Sequence, residues 1–324
     1  MENAILVFAE HLKGEISEIT YEILGIGRKL ADALKLPLTA FVVGNGIAPL
    51  ASRLGVADSV LVLDHPQMEM PPTDVVANLA STLVQEKSIS LVLVGGTNVS
   101  MGIGSRLSSR LHLPYVNFCK GIRVEDGSLV FTSQLFGGKI LSEVRLPANR
   151  GIVSVYPGSF PADAGRSERK PTVETVDLPV GESKVTFKRY IEPEAGDIDI
   201  TKQDVLVSVG RGIENADNIG MAEELAQLLG GAVCASRPVI DQGWLPLSRQ
   251  VGKSGMTVKP KLYISLGISG APEHVEGMKD AELILSFNKD PNAPIFNVSH
   301  YGVCADLFDI LPLLIDGIKT HRGG

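Results

Sequence analysis

The sequence predicts an α/β protein with two domains, each organised around a parallel β-sheet, and an antiparallel ribbon attached to the first sheet. Its 324 residues, 44% of them hydrophobic, suffice for two buried cores. Continuous apolar runs alternate with segments whose apolar residues recur at helical spacing, which is typical of parallel strands covered by helices on both faces. This alternation stops near residue 115, where short strands and glycine turns follow one another, and it resumes at Val205.

The N-terminal domain, predicted at residues 1–190, begins with four strands and three helices. The strands are predicted at residues 5–9, 38–43, 60–63 and 91–94, and the helices at residues 16–34, 75–84 and 103–111. Gly44 and Gly46 follow the second strand, and Gly95 and Gly96 follow the fourth. Because glycine favours the turns that end strands, these positions support the boundaries of a parallel sheet.

Residues 115–155 contain short apolar segments in quick succession, and we predict that they form the antiparallel ribbon. Its strands are predicted at residues 116–119, 122–124, 129–133, 140–144 and 152–155. Asp126-Gly127 and Gly137-Gly138 lie between strands, and both pairs are typical of hairpin turns. Residues 157–171 are rich in proline, glycine, serine and charged residues and are expected to form an exposed loop.

An acidic segment with few large apolar residues, at positions 191–204, is predicted to link the two domains. The second domain, residues 205–324, returns to the α/β pattern. Its strands are predicted at residues 205–209, 262–266 and 283–287, and its longer helices at residues 219–229 and 306–319. Pro312 lies within the last helix and is expected to bend it, because proline cannot donate the helical hydrogen bond.

Composition and charge argue against several classes of function. The net charge is −7, and no basic stripe is present that would bind nucleic acid. The three cysteines are isolated and form no Cys-x-x-Cys pair, so we predict no metal site. The first residues are typical of a strand rather than a targeting peptide, and no run of about 18 apolar residues predicts a membrane span. We therefore expect a cytoplasmic protein whose thiols are reduced.

The loop after the first strand of the second domain contains two glycines and an arginine, Gly210-Arg211-Gly212. Open α/β sheets bind ligands beyond the carboxyl ends of their strands, and arginine can clamp a phosphate there. However, Asn215 occupies the place of the third glycine in a dinucleotide fingerprint. The spacing therefore leaves two alternatives open, a plain turn and a phosphate-binding loop.

Two further loops follow predicted strands. The Gly-Ile-Ser-Gly turn at residues 267–270 precedes a predicted short helix, whose N-terminal N–H groups would favour an anion, and His274 follows. On this pattern alone, an ordinary turn is an equally open alternative. Residues 288–294 contain two prolines and are expected to form a stiff wall beside a pocket.

Four segments taken together resemble the α subunit of electron transfer flavoproteins. Residues 262–314 resemble the C-terminal signature of that family, and residues 208–212, 235–246 and 250–260 are similar to its other segments in order and spacing. The resemblance is strong over residues 205–318 and covers the first half in architecture only. It implies a nucleotide-hydrolase-like N-terminal domain that serves subunit assembly, a doubly wound C-terminal domain that binds one FAD in an extended pose, and a heterodimer with a β subunit.

The resemblance also implies which residues contact FAD. The implied set is Arg211, Ser236, Arg237, Val251, Gly252, Lys253, Ser254, Ser269, Gly270, Ala271, Pro272, Glu273, His274, Asn288, Asp306 and Leu307. Residues 267–270 would lie near the pyrophosphate, and residues 251–254 would border the isoalloxazine ring. Asn288, Asp306 and Leu307 would hold the adenosine end.

Charged residues are expected around the flavin ring, and some depart from the family pattern. Arg237 and a charged or hydrogen-bonding His274 would stabilise the negative charge of the reduced flavin and raise its potential. Pro272-Glu273 stands where the family has an apolar residue and glutamine, and Lys253 stands where glutamine is common. Glu273 would oppose the cations, whereas Lys253 would add to them.

The main functional hypothesis is an electron carrier, without catalytic residues of its own, that accepts electrons from acyl-CoA dehydrogenases or similar flavoenzymes. An alternative within the family is a complex that bifurcates electrons from NADH, with a second FAD in the β subunit. Outside the family, an NAD(P)-dependent dehydrogenase would use residues 210–212 as its dinucleotide turn. A nucleotide-binding subunit without redox work is the third class.

Overall fold

The computed structural model describes residues 3–190 and 198–322. The chain divides into two compact units, Met1–Arg189 and Tyr190–Gly324, and each has its own main sheet. Residues 191–197, half of the predicted linker, lie outside the described residues, and Ile200 is buried in the core of the second unit. The prediction of an α/β protein with two parallel sheets is confirmed.

The first unit consists of a nine-stranded sheet, a small hairpin and three helices within the described residues. Its strands are β1 Ala4–Phe8, β2 His11–Leu12, β3 Glu15–Ile16, β4 Leu38–Gly44, β5 Ser59–Asp64, β6 Ile89–Gly95, β7 Tyr115–Glu125, β8 Ser128–Leu135, β9 Ile140–Arg145, β10 Gly151–Val155 and β11 Thr172–Thr175. Its helices are α1 Glu18–Leu34, α2 Thr73–Glu86 and α3 Ile103–Leu111. The sheet order is β11-β5-β4-β1-β6-β10-β7-β8-β9, and β2 pairs with β3.

The central strands β1, β4, β6 and β10 are covered on both faces, which explains why they are apolar without alternation, whereas β9 and β11 are largely exposed. In β1, Ile5 and Val7 belong to the core that contains the apolar face of α1. Leu6 and Phe8 belong to a second core, which contains the buried residues of α2 and α3. Strands that are buried on both sides have no solvent face on which polar residues would be favoured.

The predicted ribbon is correct in part. The strands predicted at 116–119 and 122–124 are one strand, β7, whose pairing register shifts between Cys119 and Gly121. β7, β8 and β9 are antiparallel, as predicted. The segment at 152–155 is not part of the ribbon, because β10 lies between β6 and β7 and is parallel to both. β11, which was not predicted, pairs in parallel with β5 at the sheet edge.

The segment at 157–171 is tied to α1 rather than fully exposed. The carboxylate of Glu22 accepts hydrogen bonds from the backbone N–H groups of Gly158 (2.9 Å) and Phe160 (3.2 Å). Gly165 is buried directly against the backbone of Tyr21, where a Cβ atom would lie 1.8 Å from the Tyr21 carbonyl oxygen. Burial raises the pKa of Glu22. The charged residues of this segment therefore surround a few positions that anchor it.

The second unit contains a five-stranded sheet and four helices within the described residues. Its strands are β12 Val205–Val209, β13 Ala232–Ala235, β14 Leu262–Leu266, β15 Leu283–Asn288 and β16 Tyr301–Cys304. Its helices are α4 Ile219–Leu229, α5 Arg237–Asp241, α6 Pro272–Glu276 and α7 Leu307–Arg322. β12, β14 and α4 have the predicted bounds, whereas β13, β16 and α5 were not predicted.

All five strands of the second sheet are parallel, in the order β13-β12-β14-β15-β16. The strand that follows β12 in the chain lies on one side of it, and the later strands lie on the other. The winding direction therefore reverses between β12 and β14. A crevice opens beyond the carboxyl ends of the strands at such a switch point, and this crevice is the usual ligand site of open α/β sheets.

Candidate functional site

A cavity of about 760 Å³ lies beyond the carboxyl ends of the second sheet. Its walls come from the loops that follow β12, β13, β14 and β15 and from the segment around residue 252. The lining residues are Arg211, Gly212, Glu214, Ser236, Arg237, Pro238, Gln250, Val251, Gly252, Lys253, Ser254, Gly267, Ile268, Ser269, Ala271, Glu273, His274, Asn288 and Lys289. The topology thus brings together residues that are far apart in the sequence.

Most of the residues predicted to contact the cofactor lie in this cavity wall. A smaller adjoining cavity shares Gly212, Glu214, Gly267, Asn288 and Lys289 with it and is also lined by Asp306 and Leu307. Gly270 and Pro272 line neither cavity. Gly270 instead packs against the following turn, where a Cβ atom would lie 2.2 Å from the backbone nitrogen of Ile295.

The loops after β12 and β14 are joined through their backbones at the switch point. The N–H of Gly210 donates to the Leu266 carbonyl (2.8 Å), and the N–H of Gly212 donates to the Gly267 carbonyl (3.0 Å). Gly267 has a φ of +64°, and a Cβ atom there would lie 2.6 Å from the Cα atom of Gly212. Close packing between the two loops therefore explains why residues 210 and 212 are glycines. A dinucleotide fingerprint is not needed to explain them.

Positive charge surrounds the cavity. The guanidinium of Arg211 is exposed and makes no ion pair or hydrogen bond with any described residue. Arg237, the first residue of α5, forms an exposed ion pair with Asp241 (3.4 Å). The exposed Lys253 adds a third cation to the wall. A guanidinium without a protein partner at the carboxyl edge of a sheet can form charge-assisted hydrogen bonds with an anionic ligand.

Two serines next to these cations in the chain also line the cavity, Ser236 after β13 and Ser254 in the segment around residue 252. Ser236 is buried and precedes α5 in the N-cap position. The Oγ atom of Ser254 accepts a hydrogen bond from the Nε2 atom of Gln250 (2.9 Å). Gly252 has a φ of +138°, and a Cβ atom there would lie 2.9 Å from the carbonyl oxygen of Glu273. The segment is thereby held close to the turn that precedes α6.

His274 is buried in the cavity wall, and both of its ring nitrogens have protein partners. Nδ1 lies 3.1 Å from the Val251 carbonyl oxygen, and Nε2 lies 2.9 Å from the Tyr263 hydroxyl oxygen. Burial lowers the pKa of His274 to about 4. His274 is therefore neutral at neutral pH, so of the two expected states, charged or hydrogen-bonding, the structure favours the neutral, hydrogen-bonded one.

The turn before α6 differs from the anion cradle that its sequence suggested. α6 has only five residues, and Pro272 occupies its first position. Proline has no N–H group, and a helix this short adds little dipole to its N-terminus. The hydroxyl of Ser269 and the backbone around it remain in the cavity wall, so the turn can still contact a ligand.

Asn288 joins the two loops at the far end of the cavity. Its Nδ2 atom donates to the Ile268 carbonyl (2.9 Å), and its Oδ1 atom accepts from the Asp290 N–H (2.9 Å). The Asn292 N–H in turn donates to the Asp290 carboxylate (2.9 Å). These bonds, together with the two prolines, hold the loop at 288–294 in the stiff form that the sequence predicted.

Gly267 and Ile268 belong to the turn predicted near the pyrophosphate but not to the implied contact set. Seven lining residues in all are absent from that set. They are Gly212, Glu214, Pro238, Gln250, Gly267, Ile268 and Lys289. Most are immediate neighbours of predicted residues, so extending each predicted segment by one or two positions would have found them. Glu214 and Lys289 form an ion pair across the cavity mouth (3.5 Å), and no sequence spacing reveals a pair that the fold brings together from 75 residues apart.

No candidate metal centre of three or more His, Cys, Asp or Glu side chains occurs within residues 3–190 and 198–322. All three cysteines are unpaired, and Cys304 is exposed, whereas the other two are buried. In the same part of the chain, none of the helices has the length and apolar character that a membrane span requires.

The chain matches two family descriptions and many characterised proteins. Residues 5–181 match the electron transfer flavoprotein domain, and residues 199–279 match the electron transfer flavoprotein FAD-binding domain. The electron transfer flavoprotein subunit alpha of Thermoanaerobacterium thermosaccharolyticum is 37% identical over 98% of each chain. The acryloyl-CoA reductase electron transfer subunit beta of Anaerotignum propionicum is 36% identical over 98% of this chain and 96% of its own.

A third relative carries a different name. The lactate dehydrogenase (NAD(+),ferredoxin) subunit LctC of Acetobacterium woodii is 34% identical over 97% of this chain and 77% of its own. Matches of this extent, together with the two family descriptions, cover both units. The chain belongs to the electron transfer flavoprotein family, as an alpha-type subunit with an FAD-binding domain.

Proposed function

We propose that this chain holds its FAD in the cavity at the carboxyl edge of the second sheet and carries electrons from a dehydrogenase to a downstream acceptor. The observation that carries this proposal is the unpartnered Arg211 in the wall of a large cavity at the switch point. Bound FAD would supply reversible one-electron and two-electron redox chemistry. The protein residues would bind, orient and electrostatically adjust it.

The cavity fits FAD in size and in the chemistry of its walls. Its volume lies within the range of about 300–1,000 Å³ that is usual for ligand pockets, and the adjoining cavity near Asp306 lengthens it. Arg211 and the hydroxyl of Ser269 would form hydrogen bonds with the pyrophosphate. The segment from Val251 to Ser254 would border the flavin ring, and Asn288 with its neighbours would hold the adenosine end.

The charge near the flavin ring is proposed to come from Arg237 and Lys253 rather than from His274. Both cations are exposed in the cavity wall, whereas burial keeps His274 neutral. The carboxylate of Glu273 lies in the same wall and would oppose them. Because a nearby positive charge stabilises the reduced flavin, removal of either cation should lower the flavin potential.

The partner in the complex is proposed to be a β subunit, and the electron donor an acyl-CoA dehydrogenase or a similar flavoenzyme. The family match supports a heterodimer of electron transfer flavoprotein subunits. The relative named as an acryloyl-CoA reductase electron transfer subunit supports a CoA-ester flavoenzyme as donor or acceptor. Three unpaired cysteines are consistent with a cytoplasmic location.

A second candidate is a complex that bifurcates electrons from NADH by means of another FAD in the β subunit. The relative named lactate dehydrogenase (NAD(+),ferredoxin) subunit favours it. Counting cofactors in the purified heterodimer separates the two candidates. One FAD with one AMP supports the simple carrier, and two FAD support the bifurcating complex.

Binding in the proposed cavity is tested with the variants Arg211→Ala and Ser236→Ala in the heterodimer. Since a hydrogen bond to a charged group contributes about 1.5–3 kcal/mol, Arg211→Ala should weaken FAD binding about 10- to 100-fold. Lys259→Ala, which removes an exposed cation of the same unit outside the cavity, is the control. FAD titration of the apo-heterodimers measures the affinities. Equal FAD affinity in all three variants would place the cofactor elsewhere.

A further inference from the structure

The buried Tyr263 lies behind the cavity wall and does not line the cavity. It is the second residue of β14 and fully buried, and its ring lies 6.2 Å from the ring of His274, tilted by 55°. Its hydroxyl is 2.9 Å from the Nε2 atom of His274. Tyr263 is thus in direct contact with a residue of the cavity wall without access to the ligand.

The hydrogen bonds of His274 determine which ring nitrogen carries the proton. A carbonyl oxygen can only accept, so Nδ1, which lies 3.1 Å from the Val251 carbonyl, must be the protonated nitrogen. A neutral imidazole has one N–H group, and Nε2 is therefore the acceptor. The Tyr263 hydroxyl donates to it.

The surroundings of this pair favour the neutral histidine. The Tyr263 hydroxyl contacts His274 from β14, and the Cys234 thiol and the Ser208 hydroxyl lie beside that hydroxyl. Lys253 and Glu273 line the same cavity as His274. Burial raises the pKa of Tyr263 and raises that of Cys234 to about 12, so neither supplies a negative charge that would stabilise an imidazolium. An imidazole nitrogen is also a better acceptor for the hydroxyl than the neighbouring thiol.

We propose that Tyr263 is a positioning residue of the redox site, which holds the imidazole of His274 in a fixed orientation with its proton on Nδ1 and so adjusts the potential of the bound FAD through it. The adjustment of the potential rests on the proposed function, whereas the state of His274 can be measured without flavin. Loss of the hydroxyl leaves Nε2 without its partner, so only the bond to the Val251 carbonyl would still orient the ring. In Tyr263→Phe the nitrogen signal of Nε2 should therefore shift to that of an imidazole nitrogen without a hydrogen bond, and the potential of the bound FAD should change.

The experiment uses the apo- and FAD-loaded heterodimers with isotope-labelled histidine. The signal of His274 is assigned by its absence in His274→Gln, and NMR titration follows its protonation. In the wild type, Nδ1 should remain protonated and Nε2 unprotonated at neutral pH and below. A wild-type His274 that is protonated on both nitrogens at neutral pH would overturn the proposal, even if Tyr263→Phe failed to fold.

The control variant is Tyr301→Phe, which removes the hydroxyl of an exposed tyrosine in the same unit. Only Tyr263→Phe should shift the Nε2 signal of His274 and change the flavin potential. An unchanged Nε2 signal in Tyr263→Phe contradicts the proposal. A shifted Nε2 signal in a heterodimer that binds no FAD would instead contradict the proposed function alone.

Discussion

Single residues of the cavity wall have distinct tasks. Gly212 and Gly267 allow two loops to meet through their backbones, and Arg211 offers an unpartnered cation to a ligand. His274 illustrates how burial decides chemistry, because a residue type that titrates near neutral pH in water is neutral here. Each of these tasks predicts a different consequence of substitution.

Gly267→Ala should destabilise the second unit and abolish FAD binding. The new Cβ atom would lie 2.6 Å from the Cα atom of Gly212, at a φ of +64°. Gly243→Ala is the matched control, because Gly243 has a similar φ of +72° but open space around it. The unfavourable φ should cost both variants about 1 kcal/mol, and the overlap should cost Gly267→Ala about 1–3 kcal/mol more. Urea unfolding and FAD titration measure the difference, and equal stabilities would contradict the close packing.

The neutral state of His274 should make the stability of the second unit depend on pH. In the unfolded chain the pKa of His274 has its usual value near 6.5, whereas burial lowers it to about 4 in the fold. The contribution of the neutral His274 to stability is therefore complete above the unfolded pKa near 6.5. It is lost as the pH falls from there toward the folded pKa of about 4. The free energy of unfolding should drop by about 1 kcal/mol between about pH 7.5 and about pH 5.5.

This pH dependence is tested by urea unfolding of the wild-type and His274→Gln heterodimers at both pH values. Glutamine does not titrate, so the variant should lose less stability on acidification than the wild type. An identical pH dependence of the two proteins would show that His274 is not buried and neutral.

At the scale of elements, two short helices hold cavity-lining side chains in place. α5 and α6, which follow β13 and β14, have five residues each and hold Arg237 and His274 at the cavity. In the first unit, by contrast, the segment after β10 is anchored by Glu22, a residue of the 17-residue helix α1.

Glu22→Ala should release the segment after β10 from α1. The substitution removes the partly exposed hydrogen bonds from the N–H groups of Gly158 and Phe160, each of which contributes about 0.5–1.5 kcal/mol. Glu18→Ala is the control, since Glu18 contacts the same segment through an exposed ion pair with Arg166. Such exposed pairs contribute about 0–1 kcal/mol. Equal losses in chemical unfolding of the two variants would contradict an anchoring role of Glu22.

The sequence predicts those elements whose signal is local. β12 and β14 are continuous apolar runs with turns on both sides, and both were predicted to the residue. β13 has only four residues directly after a glycine pair, too few to show periodicity. β10 follows the ribbon in the chain but pairs with β6, and strand pairing across 60 residues leaves no local trace. The family resemblance implied most of the residues in the cavity wall. It did not imply Tyr263, which contacts His274 but does not line the cavity.

At the scale of the whole molecule, the two compact units differ in whether they contain the candidate site. The cavity lies entirely in the second unit, and the larger sheet of the first unit contributes none of its lining. The family description that covers the first unit names no cofactor, whereas the one that covers residues 199–279 names FAD.

FAD should therefore protect the backbone of the second unit selectively. Hydrogen exchange of the heterodimer, with and without FAD, should slow in peptides from the loops after β12, β13, β14 and β15. Peptides from α1 and α2 should exchange at unchanged rates, because a ligand stabilises the elements that must open for exchange at its site. Equal protection of both units would contradict FAD binding that is confined to the cavity of the second unit.

The strand order of the second sheet has a consequence for how this protein diverges from its relatives. Three of the charged side chains in the cavity wall lie on different segments, Arg237 on α5, Lys253 near residue 252 and Glu273 on α6, while the glycines at the switch point join the loops after β12 and β14. In the proposed site, a single substitution can therefore change the electrostatic environment of the cofactor without altering how the cofactor is held. Evolution can thus match the driving force to a new donor or acceptor in small, independent steps, at exposed positions where stability is scarcely affected.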